Sequence, residues 1–337
     1  MRKRLFLTII LMFALTAVLA ACGGGNTNTA TNDGNNTNNT NNGGGEDPQF
    51  LSFLTGGTSG TYYPLGGAIA KIITDETGIQ TDAQSSNASA DNIIALKDGE
   101  AEIAFTQTDV ASDAVNGTNA FEGEAVDTVL AVGSLYPETV QIVTTDKSGI
   151  ESVEDLEGKK VSVGAPGSGT YVNAEQILEV HGLSMDDIDA QSLDFGESAG
   201  QIKDGNIDAA FITAGTPTGA VEELQATAKV NVLPVAADKA EELIDKYPYY
   251  AVDTIEEGTY GLESDVETVA VMAMIVVKDD ISEGVVYDIT KSIYENADSI
   301  AHAKAEFISL DSALDGIGFD LHPGAKKFYE EAGVEVE

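Results

Sequence analysis

The sequence predicts an α/β protein built from two similar doubly wound lobes that are joined by two crossing segments. Apolar strand-like runs alternate with amphipathic helices through most of the 337 residues, which is typical of doubly wound sheets. The pattern also returns along the chain. Leu96–Phe105 matches Ile202–Phe211 without a gap, and Ser59–Tyr62 recurs as Ser168–Tyr171, in the same order and at nearly equal spacing. Chance recurrence of a common helix-stop-and-strand unit is the alternative to a repeat.

The first lobe begins with a strand over residues 50–54, which ends at a glycine-rich turn over 56–61. A helix follows, with apolar residues at the spacing of a face that packs on a sheet: Leu65, Ala68, Ile69, Ile72 and Ile73. Residues 85–87 offer N-cap side chains for the next helix, and residues 100–107 form the next strand.

The second lobe repeats this order, with a strand around Val161 and Val163 followed by a helical face that includes Ile177. The apolar runs 139–145 and 266–277 are predicted to be the two crossing segments. We expect later helices, at 284–301 and 325–333, to pack back on the first lobe. The predicted boundaries place residues 48–141 and 259–337 in lobe I and residues 142–258 in lobe II.

The N-terminus has the pattern of an export signal. Three basic residues precede an apolar or neutral run over residues 5–21, and the only cysteine, Cys22, follows Leu19-Ala20-Ala21. This resembles the lipobox of bacterial lipoproteins, which implies a signal peptide over 1–21 and a lipid on Cys22. Residues 22–47, rich in Gly, Asn and Thr, are predicted to be a flexible tether. An uncleaved membrane anchor is the alternative.

Composition excludes several functional classes. With 56 acidic against 17 basic side chains and a net charge of −39, the chain lacks the basic patches that nucleic acids require. A single cysteine excludes a disulfide framework and a cysteine-rich metal site. Three histidines without metal-ligand spacing, and no Gly-x-Ser-x-Gly elbow, predict no metal, no cofactor and no catalytic set.

The paired Ser-Gly-Thr-Tyr turns are the strongest candidate site. Each lies between a strand and a helix, at the sheet edge where open α/β sheets bind ligands. Backbone N–H groups at the start of a helix, with hydroxyls beside them, can bind an anion without a cationic side chain. The alternative is an ordinary helix start, in which Gly turns the chain and Ser or Thr caps the helix.

Four motifs then carry a family resemblance: Thr55–Pro64, Asp155–Val161, Gly164–Thr170 and Leu321–Ala325. They resemble the TAXI-type solute-binding proteins of TRAP transporters, which have the type II periplasmic-binding-protein fold. The resemblance implies capture of a carboxylate or amino acid such as glutamate between the lobes. It implies delivery to a permease driven by an ion gradient. We expect a monomer that is lipid-anchored on the outer face of the cell membrane. A ligand-sensing module of a surface receptor is the alternative.

The expected ligand-binding residues come from both turns and the segments beside them. In the first lobe they are Gly57, Thr58, Ser59, Gly60, Thr61, Tyr62, Ser86, Asn87 and Gln107. In the second lobe they are Gly167, Ser168, Gly169, Thr170, Thr213, Gly215 and Thr216. Arginine is absent after Arg4, so a guanidinium clamp for a carboxylate is excluded. Asp109 and Glu197 are candidates for binding a ligand amino group, and Tyr62 could instead be a core residue.

Overall fold

In the described part of the chain, residues 48–336 of a computed structural model, ten strands join in one mixed sheet. The predicted signal peptide, Cys22 and the tether lie outside the described residues. The strands are β1 (Phe50–Leu54), β2 (Gln80–Gln84), β3 (Ile103–Gln107), β4 (Val129–Thr145), β5 (Lys160–Ser162), β6 (Asp189–Gln191), β7 (Ala209–Ala214), β8 (Val230–Leu233), β9 (Ala251–Ile255) and β10 (Val266–Lys278).

The sheet consists of two halves with the same connectivity, in the overall order β2-β1-β3-β10-β4-β7-β5-β6. Strands β1, β2 and β3 are parallel, and so are β5, β6 and β7, as the alternating pattern predicts. In each half, the third strand then pairs antiparallel with a long strand, β3 with β10 and β7 with β4. The sequence repeat is therefore a repeat of topology, completed by antiparallel pairs that the sequence pattern did not predict.

The two predicted crossing segments are the long strands β4 and β10. Residues 273–277 of β10 pair with β3 in one half, and residues 266–270 pair with β9 in the other. Strand β4 begins at Val129, ten residues before the predicted start at 139, because Gly133, Ser134 and Pro137 conceal its first part from a strand pattern. Both strands run through both halves without interruption, so the lobe boundaries stay predictions.

Nine α-helices of the described chain cover the sheet, together with short 3₁₀ turns. They are α1 (Tyr62–Thr77), α2 (Ser89–Lys97), α3 (Thr108–Asn116), α4 (Gly169–Val180), α5 (Phe195–Asp204), α6 (Gly219–Gln225), α7 (Ala237–Lys246), α8 (Glu283–Asn296) and α9 (Pro323–Ala332). The C-cap residue of α1 is Gly78, whose φ of 75° favours glycine. No described helix is long and apolar enough to span a bilayer.

Each half of the sheet has its own hydrophobic core. Around β1, the side chains of Phe53 and Leu65 pack in one cluster with Ile289 of α8 and Phe328 of α9. The C-terminal helices therefore cover the first half, as predicted. In the second half, an equivalent cluster contains Val161, Ile177, Phe211 and Leu243. Between these cores lie the ends of β1, β3, β5 and β7, where the candidate site is found.

Candidate functional site

A partly open cavity of about 50 Å³ lies between the two halves, and both Ser-Gly-Thr-Tyr turns line it. Gly60, Thr61 and Tyr62 contribute from the first turn, and Ser168, Gly169 and Thr170 from the second. Each turn connects a strand of its half to a helix, β1 to α1 and β5 to α4. The repeat thus places two equivalent helix starts on opposite walls of one cavity.

On the first wall, the side chains of Thr61 and Tyr62 at the start of α1 form hydrogen bonds to residues distant in the chain. Thr61 is the N-cap residue, yet its side chain makes no cap bond and donates instead to the carbonyl of Gly215, over 3.3 Å. The Tyr62 ring is buried and stacks on Phe105, with ring centroids 4.5 Å apart. Its hydroxyl donates to Glu138 Oε2 over 2.7 Å. Tyr62 is both a core residue and a cavity residue.

On the second wall, α4 begins with a side-chain cap. Ser168 Oγ accepts a hydrogen bond from the Tyr171 N–H at 3.2 Å, which satisfies one of the free donors of the first turn. Thr170 Oγ1 accepts from the Thr213 N–H at 3.4 Å and so connects the helix to the end of β7. Helix α4 therefore starts in the ordinary way, while its first residues line the cavity.

The two walls touch directly on both sides of the cavity. The Gly167 carbonyl accepts hydrogen bonds from the N–H groups of Ala90 and Asp91, at 3.0 and 3.3 Å. On the other side, the Ala220 N–H donates to the Ser59 carbonyl at 3.1 Å. These hydrogen bonds hold the two walls together beside the cavity.

Helix α2 begins differently from the prediction. Its N-cap residue is Ala88, whose side chain makes no cap bond, and Ser86 Oγ accepts only from the Ala88 N–H, at 3.1 Å. The first N–H groups of the helix are instead satisfied by Gly167 from the opposite wall. Ala88 has a φ of 70° and a ψ of −171°, a conformation that is costly for a residue with a Cβ. This strain lies at the cavity, since Ala88 is a lining residue.

Two carboxylates line the cavity, and the lining contains no lysine, arginine or histidine. Glu138 of β4 is 2% exposed, and Asp194, which caps α5, is exposed. Burial raises the pKa of Glu138 to about 8, while hydrogen bonds from Tyr62 and Gln107 offset part of this effect. An anionic group in the cavity would therefore meet backbone dipoles and hydroxyls, with no cationic side chain.

Eleven of the predicted ligand-binding residues lie in this lining. They are Gly57, Gly60, Thr61, Tyr62, Ser86, Asn87, Gln107, Ser168, Gly169, Thr170 and Thr213.

Five predicted residues lie outside the cavity lining. Thr58 and Ser59 face a neighbouring shallow cleft that Pro217 and His302 also line. Gly167 is exposed, and its carbonyl accepts the hydrogen bonds from Ala90 and Asp91. The Gly215 carbonyl accepts from Thr61, and Thr216 is half-buried next to it.

Glu138, Asp194 and Phe195 also line the cavity and were not among the predicted residues. The signal for Glu138 was a single carboxylate within an otherwise apolar segment, adjacent to the predicted crossing strand. Asp109 and Glu197 are not in the lining. Asp109 is buried behind it and accepts a hydrogen bond from Asn173 Nδ2 at 3.1 Å, and Glu197 is exposed on α5. No cluster of His, Cys, Asp or Glu suited to a metal occurs within residues 48–336.

Comparison with known proteins places this geometry in a family and a fold. The NMT1-like family matches residues 53–333. A periplasmic transporter of known structure superimposes with a TM-score of 0.50, at 13% identity, over 84% of this chain and 94% of that one. A protein of Bordetella bronchiseptica RB50 superimposes with a TM-score of 0.50, at 16% identity, over 84% of this chain and 82% of that one. The alkanesulfonate-binding protein SsuA from Xanthomonas axonopodis pv. citri, bound to MOPS, superimposes with a TM-score of 0.47, at 13% identity, over 85% of each chain. The α/β fold is that of the periplasmic transporter.

Proposed function

The chain belongs to the NMT1-like family, and on that premise we propose that it is an extracytoplasmic solute-binding protein that captures a small carboxylate or amino acid between its two halves. One observation carries the proposal: the repeated helix starts at Thr61 and Gly169 line opposite walls of one cavity. Ligand pockets at the carboxyl ends of strands, between two α/β halves, are the usual sites of such folds.

The cavity suits binding better than catalysis. Its lining offers hydroxyls, amides and backbone groups, while Ser168 Oγ is engaged as a helix cap and no histidine lines the wall to act as its base. Two helix N-termini can hold a carboxylate through N–H groups and the helix dipole. A solute carrier that performs no chemistry needs nothing more.

The membrane partner that we propose is a TRAP-type permease, which draws on an ion gradient. This finer assignment rests on the sequence motifs at Thr55–Pro64 and Gly164–Thr170. Uptake of the bound solute by cells that express the protein with its permease would test it. Abolition of uptake by ionophores, with ATP depleted, supports the proposal, whereas uptake that requires ATP and resists ionophores would assign the protein to ATP-driven import.

The location that we propose is the outer face of the cell membrane, with a lipid on Cys22. Replacement of Cys22 by Ser should release the protein into the soluble fraction and abolish incorporation of labelled fatty acid. Retention of a Cys22→Ser variant in the membrane fraction would favour an uncleaved N-terminal anchor instead.

Thermal denaturation with a panel of amino acids and dicarboxylates tests the binding function directly. At a hundredfold excess over Kd, a bound solute should stabilise the protein by about 2.7 kcal/mol. The double variant Thr61→Val, Thr170→Val should keep its fold and lose this stabilisation. If no compound on the panel raises the melting temperature, the proposal of a carboxylate or amino-acid carrier is wrong.

A further inference from the structure

The most unusual group in the cavity is the carboxyl of Glu138. It lies on β4, between the two halves, and only 2% of the residue is exposed. Its Oε2 accepts a hydrogen bond from the neutral Tyr62 hydroxyl at 2.7 Å. No ion pair of the described chain includes Glu138, although seven other carboxylates are paired with lysines. A buried carboxyl without a cationic partner is costly to the folded state.

The neighbouring side chains leave further oxygen acceptors in the lining. Gln107 Oε1 and Thr213 Oγ1 are buried and have no hydrogen-bond partner within the described chain. Both residues line the same cavity as Glu138. Unpartnered buried acceptors require a donor for their hydrogen-bonding capacity to be used. A ligand ammonium provides three N–H donors and a positive charge.

From these observations we propose that the solute carries a primary ammonium group, which binds at Glu138 and Gln107 inside the cavity. The proposal rests on the proposed function and narrows it: the solute is an α-amino acid or a related amine, and not a plain dicarboxylate. Its carboxylate lies towards the helix starts at Thr61 and Gly169, where the dipoles favour negative charge. Asp194, the other acidic lining residue, increases the preference for a cationic group.

Binding of the ammonium group at Glu138 is coupled to release of a proton. If the carboxyl is protonated before binding, the ammonium solute forms an ion pair with the carboxylate and one proton leaves to the solvent. Three titratable groups act on Glu138. Hydrogen bonds from Tyr62 on α1 and Tyr136 on β4 lower its pKa, whereas the charge of Asp109 on α3 raises it. Affinity for an amine should therefore rise with pH through the neutral range, by at most about tenfold per pH unit. A ligand that binds only through carboxylates should show the opposite trend.

Matched ligand pairs on the full protein test the proposal. Calorimetry would compare L-glutamate with glutarate, and L-glutamine with glutaramate, because each pair differs only in the amino group. We expect the amine of at least one pair to bind at least about thirtyfold more tightly than its partner, as is usual for loss of a charged hydrogen bond at a buried group. The variant Glu138→Gln should abolish this difference, while Glu267→Gln, an exposed carboxylate on the other crossing strand, should keep it.

The outcomes are distinct. Equal affinity within both pairs, or undiminished amine binding by a folded Glu138→Gln variant, would overturn the assignment of the ammonium site and leave the carrier function intact. If Glu138→Gln does not fold, the ligand pairs and the pH dependence of the unmodified protein still decide. Absence of binding by all four compounds would contradict the proposed solute class, and the ammonium site with it.

Discussion

The carboxamide of Gln107, at the end of β3, occupies the space that a Cβ on Gly169 would need. The two residues belong to opposite walls of the cavity, and both are buried. Gly169 is the first residue of α4, where no unusual backbone angle requires glycine. Its role is therefore to let the two walls approach each other.

Replacement of Gly169 by Ala should weaken solute binding without unfolding the protein. The new methyl group would clash with the Gln107 carboxamide. To relieve the clash, the Gln107 side chain must move or the two walls of the cavity must separate slightly. We expect a loss of affinity of at least about tenfold, since overpacking at a tight contact costs about 1–3 kcal/mol. Calorimetry with the identified solute would measure it.

Gly200→Ala is the matched control, because a Cβ at Gly200 in α5 meets no atom within 4 Å. The Gly200→Ala variant should bind the solute with unchanged affinity, and its free energy of unfolding should rise by up to about 1 kcal/mol. Equal affinity of the Gly169→Ala variant and the unmodified protein would show that the walls do not need this close approach.

Ala88 should be a position where glycine stabilises the fold. Its φ of 70° disfavours any residue with a Cβ, so Ala88→Gly should raise the free energy of unfolding by about 1 kcal/mol. Ala90, two residues later, is inside α2 with ordinary helical geometry, and Ala90→Gly should lower it by a similar amount. Urea denaturation of both variants would measure these changes, and a destabilised Ala88→Gly variant would contradict the strained conformation.

Asn173 should be a stabilising contact between α3 and α4. Its buried side chain donates to Asp109 Oδ2 at 3.1 Å and to the Tyr250 hydroxyl at 2.7 Å. Asn173→Ala leaves the Asp109 carboxyl without this donor, and we expect a loss of about 2 kcal/mol in urea denaturation. The exposed ion pair of Lys229 with Glu263 provides the control, because Lys229→Ala should have no measurable effect. Similar results for the two variants would argue against a structural role for the buried network.

The stability of the solute-free protein should fall as the pH rises through the neutral range. Burial raises the pKa of Glu138 from 4.5 to about 8 and the pKa of Asp109 from 3.8 to about 7. The folded state then binds protons that the unfolded state has released. The stabilisation is complete below the unfolded pKa values and is lost by about pH 7 for Asp109 and about pH 8 for Glu138.

Urea denaturation from about pH 5 to about pH 8 would measure this dependence, with a limiting slope of about 1.4 kcal/mol per pH unit for each group. The Glu138→Gln and Asp109→Asn variants should each show a shallower slope than the unmodified protein. Parallel curves for all three proteins would mean that neither carboxyl is protonated in the folded state at neutral pH.

Much of the architecture follows from local patterns. The strand at residues 50–54 and the helix stripe from Leu65 to Ile73 were predictable because burial on one side imposes a period of two or 3.6 residues. The repeat of Ser59–Tyr62 at Ser168–Tyr171 indicated two similar halves, and the structure realises it as one strand order used twice. Strand β4 was only partly predictable, since its pairing partners compensate for a glycine and a proline that weaken the local signal.

The residues of the cavity divide in the same way. The sequence by itself determined the two glycine- and hydroxyl-rich turns, because a strand-to-helix connection at a sheet edge has a local signature. Only the tertiary structure decided that Glu138 is buried beside Tyr62, that Gly169 meets Gln107, and that Gly167 rather than a nearby side chain caps α2. These relationships join residues more than thirty positions apart in the chain, and local periodicity carries no information about which distant segments pack together.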